Sequence, residues 1–235
     1  MKQIPLAIRH DTTPTFDNFI VGDNALTMAQ MQALRPASSP PQSAVYLWGP
    51  SGVGKTHLLG ALSAAWSCTG EGAVCSVNPD TLNPEGLRDT MANPLWRLLV
   101  LDACDGFTPA QQQTAFALFV EASSRGAVIA SAGRLPPIDL ILRDDLRTRL
   151  GWGLVLPVLP LSEFETRGVL RSEADRRGLV LSDDVTTYLL TRFPRDLKQL
   201  MRLLDRLDEF ALRQKRALTV PLLKQMLLES PTELP

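Results

Sequence analysis

Gly49-Pro50-Ser51-Gly52-Val53-Gly54-Lys55-Thr56 spells G-x-x-x-x-G-K-T, and the apolar run Ala44-Val45-Tyr46-Leu47-Trp48 leads directly into it. A strand, a glycine-bearing turn and a helix opening at Lys55 form the setting in which this spacing holds phosphate. The glycines let backbone N–H groups turn inward around the phosphates. Lys55 reaches the β/γ oxygens as a point charge, and the Thr56 hydroxyl can ligate Mg²⁺. A helix beginning near Lys55 adds its positive end and its unpaired N–H groups. A strand-to-helix turn that binds nothing is the bland alternative, and the fixed spacing together with the preceding strand disfavours it. The expected ligand is a nucleoside di- or triphosphate.

Working outward, short apolar runs alternate with helical patterns. The runs cover Ala44 to Trp48, Ala73 to Val77, Leu98 to Asp102, Ala127 to Ser131 and Leu154 to Leu156. Helices are predicted over Lys55 to Ser67, Pro109 to Ser124 and Asp144 to Leu150. Alternation of this kind predicts an α/β fold, a parallel five-stranded sheet sandwiched by helices. After Pro157 the character changes. Leu161-Ser162-Glu163-Phe164-Glu165 is a capping box, Ser182 caps a second helix, and Asp196 to Gln214 and Val220 to Leu228 carry leucines at three- and four-residue spacing. The C-terminal third therefore reads as a small α-helical lid domain. The Pro/Ser-rich stretch from Arg35 to Ser43 reads as an exposed loop.

Composition bounds the function classes. With 235 residues, 45% hydrophobic and 21% charged, the chain matches an ordinary globular protein able to bury about 70% of its unfolded surface. The net charge is −1, and residues 1–160 carry 11 Lys+Arg against 13 Asp+Glu while the remainder carries 13 against 12. Neither part is basic enough for tight DNA binding to be its main task. Cys68, Cys75 and Cys104 lack metal-ligand spacing and read as reduced thiols. No run of about 18 apolar residues and no signal-type segment is present, so a cytoplasmic protein without membrane association is expected.

Trp96-Arg97-Leu98-Leu99-Val100-Leu101-Asp102 is an apolar strand ending in a carboxylate, the second half of the site in loop-type NTPases. Asp102 is placed to orient Mg²⁺ with Thr56. Ala103 follows where many such ATPases carry a second acid that positions the attacking water, so intrinsic hydrolysis is expected to be slow. Asp105 is set back by three positions and is a poor substitute.

Four stretches make a resemblance specific: Thr15-Phe16-Asp17-Asn18-Phe19-Ile20-Val21-Gly22-Asp23-Asn24, Gly54-Lys55-Thr56-His57-Leu58-Leu59, Asp145-Leu146-Arg147-Thr148-Arg149-Leu150-Gly151-Trp152-Gly153, and Arg195-Asp196-Leu197. The chain resembles the AAA+ proteins of the DnaA family, and more closely its shortened regulatory branch, Hda. The resemblance implies an N-terminal extended segment over 1–14, an AAA+ P-loop NTPase domain over 15–158 and a lid over 159–235. It makes Arg149 similar to the arginine finger, which acts in trans on nucleotide held by a neighbouring subunit. On residues alone, a surface arginine paired with Asp144 or Asp145 is the simpler reading of Arg149. Arg195 matches the sensor-2 arginine of the lid, and Ser131 is a candidate for the polar sensor-1 position. The segment Ala132-Gly133-Arg134-Leu135-Pro136-Pro137 departs from the family's tighter Asp-Arg-Pro-Pro pattern. Adenine is implied beside Phe19, Ile20, Val21 and Gly22. His57 borders the nucleotide, packing after the loop rather than performing chemistry.

The same resemblance suggests partners. Gln3-Ile4-Pro5-Leu6-Ala7-Ile8 resembles the clamp-binding hexapeptide of the Hda branch: Gln3 can be held by hydrogen bonds while Leu6 and Ile8 fill an apolar groove. The implied partners are DnaA and the polymerase III sliding clamp (beta subunit), with DNA reached through the clamp, and a homo-oligomer is possible. The sequence leaves no room for the initiator's C-terminal DNA-binding domain, and the stretch from Asn78 to Pro94 is short beside its single-strand-binding insertion. The implied function is a nucleotide-bound adaptor, holding ADP rather than ATP, that stimulates hydrolysis of DnaA-bound ATP and so restrains replication initiation. An independent AAA+ ATPase, such as a helicase loader or a DnaA-like initiation factor, is the alternative.

Overall fold

In the computed structural model the described residues are 13–36, 44–70, 73–86, 91, 93, 95–194, 196–214 and 216–229. Those of Met1–Val21, Ala25–Trp48 and Gly54–Pro157 cluster into one compact unit, and those of Gly22–Asn24, Gly49–Val53 and Val158–Pro235 into a second.

The first unit is built on a sheet of β1 (Ala44–Trp48), β2 (Val74–Val77), β3 (Leu98–Leu101), β4 (Val128–Gly133) and β5 (Leu154–Pro157) in the order β2-β3-β4-β1-β5. Every neighbouring pair is parallel: Val45 stands opposite Ala130 on one side and Leu154 on the other, and Leu99 lies between Cys75 and Ile129. Parallel strands must be joined by crossovers that cover both faces, which is why β3 and β4 are buried at every residue. The helices are α1 (Ala25–Ala33), α2 (Lys55–Ser67), α3 (Pro109–Ser124) and α4 (Asp144–Leu150). Bounds for α2, α3 and α4 coincide with the sequence expectation, whereas β4 runs two residues beyond Ser131 and α1 was not anticipated. Thr108 opens α3 with a reciprocal capping box to Gln111 and Pro109 at its first position. Tyr46, Trp96, Leu99, Leu101, Leu118, Phe119 and Ile129 form the centre of the core.

The second unit contains α5 (Glu163–Arg176), α6 (Asp183–Arg192), α7 (Leu197–Gln214) and α8 (Val220–Glu229). Ser162 and Glu165 form the expected capping box, and the Ser182 hydroxyl accepts from the Val185 N–H at 3.4 Å. Leu170, Leu189, Leu200, Leu207, Phe210, Leu222 and Met226 pack as its core. Two short pieces from far upstream, Gly22–Asn24 and Gly49–Val53, join this unit. Asn24 closes a two-way bond with Leu159, its amide donating to the Leu159 carbonyl at 3.0 Å and its Oδ1 accepting from the Leu159 N–H at 2.7 Å. No helix among the described residues is long and apolar enough to cross a membrane.

Candidate functional site

The turn after β1 ends on Gly54, whose φ of 100° and ψ of 13° put it in the left-handed region that suits glycine. Its carbonyl accepts from the Leu58 N–H at 3.0 Å, so α2 starts here. A Cβ at this position would meet the Phe19 ring at 2.7 Å. Phe19 also lies 5.7 Å, ring to ring, from His57, whose Nε2 is 3.0 Å from the Thr15 carbonyl. The Thr15–Phe19 stretch is itself knotted by Asn18, which accepts from the Thr15 N–H at 2.8 Å. The Phe-Asp-Asn-Phe opening is thus a wall beside Gly54 and His57. Of the other residues expected near adenine, Ile20 is exposed and Val21 half-buried, while Gly22 belongs to the second unit.

Thr56 and Asp102, 46 residues apart, are brought together: the Thr56 hydroxyl donates to Asp102 Oδ2 at 2.7 Å. The other carboxylate oxygen accepts from the Ala103 N–H at 2.8 Å, and the Asp102 N–H donates to the Val77 carbonyl of the neighbouring strand at 2.9 Å. A hydroxyl and a carboxylate this close can share one hard cation with nucleotide oxygens, so the pair fits a Mg²⁺ site. Lys55 is half-buried beside them. Burial pushes its ammonium below the usual lysine range, more than the negative charges of Asp102 and Asp105 restore, and Arg134 adds to the lowering. An anion placed against Lys55 would reverse that balance, as phosphate binding needs.

Ala103 takes φ 51°, the one non-glycine positive φ among the described residues, and turns the chain into a short 3₁₀ segment at Cys104–Gly106. Asp105 does not stand as an uncommitted acid. It ion-pairs with the Arg134 guanidinium and accepts from the Arg134 N–H at 3.1 Å, a pairing that sequence reasoning missed. Ser131, considered for the sensor-1 position, is buried with its hydroxyl donating to the Val45 carbonyl at 3.2 Å. Arg134 follows β4, and the buried hydroxyl of Tyr46 on the neighbouring strand β1 donates to the Leu135 carbonyl at 3.0 Å. Burial pushes the Tyr46 phenol far above its usual range. Its oxygen occupies the place where a side chain at Gly133 would stand, which accounts for glycine there.

The arginines in and just before α4 find different partners, and the pairing of Arg149 with Asp144 or Asp145, the simpler reading of the residues alone, is not formed. Arg147 pairs with Asp144 at 2.7 Å, and Arg143 reaches both oxygens of Asp145 at 2.7 and 3.2 Å. Arg149 makes no ion pair among the described residues; its guanidinium lies 3.7 Å from the Trp152 ring centroid. Arg195 and the segment Gln3–Ile8 lie outside the described residues.

Known proteins carry the same two-part signature. Residues 10–74 match the model of the bacterial DnaA ATPase domain, and residues 163–227 match the model of the Hda lid domain. An uncharacterized protein of Haemophilus influenzae is 30% identical over 96% of this chain and 98% of its own length. The chain belongs to the DnaA-like AAA+ family, in its Hda branch. Among solved structures, domain III of the Thermotoga maritima replication initiation protein DnaA superposes on this DnaA-like protein with a TM-score of 0.74 at 19% identity, over 93% of this chain and 97% of that one. The AMPPCP-bound DnaA of Aquifex aeolicus gives 0.67 at 23% identity, over 82% of this chain and 65% of that one. Both likenesses are of fold.

Proposed function

We propose that this DnaA-like protein is a nucleotide-loaded adaptor that activates hydrolysis of ATP bound to DnaA. The observation that carries the reading is Arg149: it is the α4 arginine whose charge no acid of the described chain takes up. A guanidinium supplied to another subunit's γ-phosphate stabilises the charge of the transition state and is worth about 10³ to 10⁵ in rate. Within its own site, Lys55 would hold the phosphates and Thr56 with Asp102 would hold Mg²⁺. Ala103 stands where a water-positioning acid would serve hydrolysis in cis, which favours slow turnover, and the Hda likeness of the lid is the ground for ADP as the resident nucleotide. Gln3 to Ile8 would tether the chain to the DNA-loaded sliding clamp, bringing Arg149 to its partner and restraining re-initiation.

The test is hydrolysis of DnaA-bound ATP on clamp-loaded DNA. Native protein is expected to stimulate it and Arg149→Ala to abolish the stimulation while binding ADP normally; equal stimulation by both would sink the finger assignment. Clamp retention should fall in Gln3→Ala, and undiminished retention would leave the hexapeptide without a role. One observation favours a second reading, an independent ATPase: the Thr56–Asp102 pair is fully assembled. That reading requires robust turnover by the isolated chain, lost in Asp102→Asn.

A further inference from the structure

In the segment Arg149-Leu150-Gly151-Trp152-Gly153 three residues, Leu150, Gly151 and Gly153, have a folding role, and the size of the tryptophan has none. Leu150 is buried in the core. Gly151 caps α4, its N–H donating to the Arg147 carbonyl at 3.2 Å. Gly153 lies so close to Ala44 that a Cβ would run into the Ala44 carbonyl, so β5 could not otherwise approach β1. Trp152 is 63% exposed. A large indole left in water contributes little to a core, and in this chain the buried tryptophan, Trp96, is 1% exposed.

What the indole does is carry Arg149. The Trp152 backbone N–H donates to the Arg149 carbonyl at 3.1 Å, closing the turn that brings ring and guanidinium together. A guanidinium carbon 3.7 Å from the ring centroid lies over the face of the indole, where charge–quadrupole attraction holds it. An aromatic face, unlike a carboxylate, does not take up the guanidinium's N–H groups as a bidentate acceptor, so they remain for a phosphate. It also limits the rotamers of a long side chain, so less freedom is lost when an anion is engaged. An ion pair with Asp145, four residues before Arg149 and at helix-pairing distance, would occupy the same N–H groups.

We propose that Trp152 is the positioning residue for Arg149, holding its guanidinium outward and away from Asp145 for use on a phosphate of a bound partner. The inference rests on the trans-activator reading, and its test separates the two. Trp152→Ala, Trp152→Phe, Arg149→Ala and the double variant Arg149→Ala/Trp152→Ala are compared in the DnaA-bound ATP assay, together with direct binding of each to ATP-DnaA on loaded clamp. If Arg149→Ala stimulates like native protein, the finger reading fails whatever Trp152 does. If Arg149→Ala is inactive, Trp152→Ala is expected to lower the maximal stimulated rate about tenfold with partner affinity unchanged. Trp152→Phe should recover most of that rate, and the double variant should match Arg149→Ala. A full maximal rate in Trp152→Ala, or a loss of affinity of the same size with and without Arg149, would overturn the positioning role and leave Trp152 as a docking contact or a bystander. In the isolated chain, Arg149→Ala should alter the tryptophan emission, and Trp152→Phe should remove that difference; emission indifferent to Arg149 would show that the stack does not form. Melting temperatures within about 2 °C of native certify the variants, since Trp152 lies outside the core.

Discussion

Helices α4 and α5 are both rich in arginine and acid, and they use them in opposite ways. In α5 and its cap every arginine meets a carboxylate: Arg167 with Glu163, Arg171 with Asp183, Arg176 and Arg177 with Glu173, and Arg177 again with Asp205. Two of these, Glu163–Arg167 and Glu173–Arg177, are acid-first pairs four residues apart. Asp145 and Arg149 in α4 have the same spacing and the same order, the favourable one on a helix. They do not pair. Asp145 is engaged by Arg143 and by the Leu146 N–H at 2.8 Å, and an aromatic face is available to Arg149 instead. Spacing creates the opportunity for an ion pair, and local competitors decide whether it forms. Where it forms the arginine stiffens its own domain; where it does not, a charged donor is left for something outside.

The sharpest way to break this contrast is Arg149→Lys, which keeps the charge but loses the planar fork and the stack. Stimulated hydrolysis should fall at least about 100-fold, against no change in ADP affinity; a lysine that works as well would reduce the role of Arg149 to charge alone. A second route makes α4 behave like α5. Arg143→Ala frees Asp145 to take Arg149 at the four-residue spacing, and stimulation should drop about fivefold, equivalent to about 1 kcal/mol. Adding Asp145→Asn should restore it, and the same loss in the double variant would show that Arg143 acts by another route.

On the α5 side the effects are on stability. Arg177→Ala leaves Glu173 and Asp205 short of a partner and should cost about 1 kcal/mol, a lowering of the melting point by about 2 to 4 °C with stimulation per folded molecule intact. The smallest effect is in pH. Burial works against the Glu173 charge, but hydrogen bonds from Arg176 and Arg177 outweigh it and hold the carboxyl below the usual glutamate range. A depressed carboxylate stabilises the fold above the unfolded glutamate value and loses that contribution as pH falls through the folded one. Melting curves taken from neutral pH down through the ordinary glutamate range should therefore show a slope that Glu173→Gln partly flattens. An unchanged slope would mean that the Glu173 ion pairs do not stabilise the lid.

Much of this was legible before any coordinates. Apolar runs bounded by polar residues marked all five strands to within two residues, because a doubly covered parallel strand has no polar face to blur the pattern. Capping boxes marked α5, and Asp102 was readable as the partner of Thr56 because both chemistries converge on one cation. The missed features are those in which no single residue is unusual. Helix α1 is short, without a charged first or last turn to frame it. The Arg134–Asp105 pair joins two turns 29 residues apart, and nothing in either turn announces the other. Trp152 was visible as part of a family-like string, but only its exposure separates it from a core tryptophan.

Tyr46 and Gly133 tie two strands together in a way that constrains how this protein could ever change. With the phenol oxygen seated where a β-carbon at 133 would go and anchored on the Leu135 carbonyl, a side chain at 133 clashes with the tyrosine at 46. Nor does shortening Tyr46 alone come free, since it opens a void in the core and strips a carbonyl of its donor. A side chain at 133 and the phenol at 46 compete for one space, so a change at either position alone passes through a damaged intermediate. The two positions are therefore expected to tolerate change only as a pair, so a double variant that adds a side chain at 133 and shortens 46 should fold better than the single change at 133.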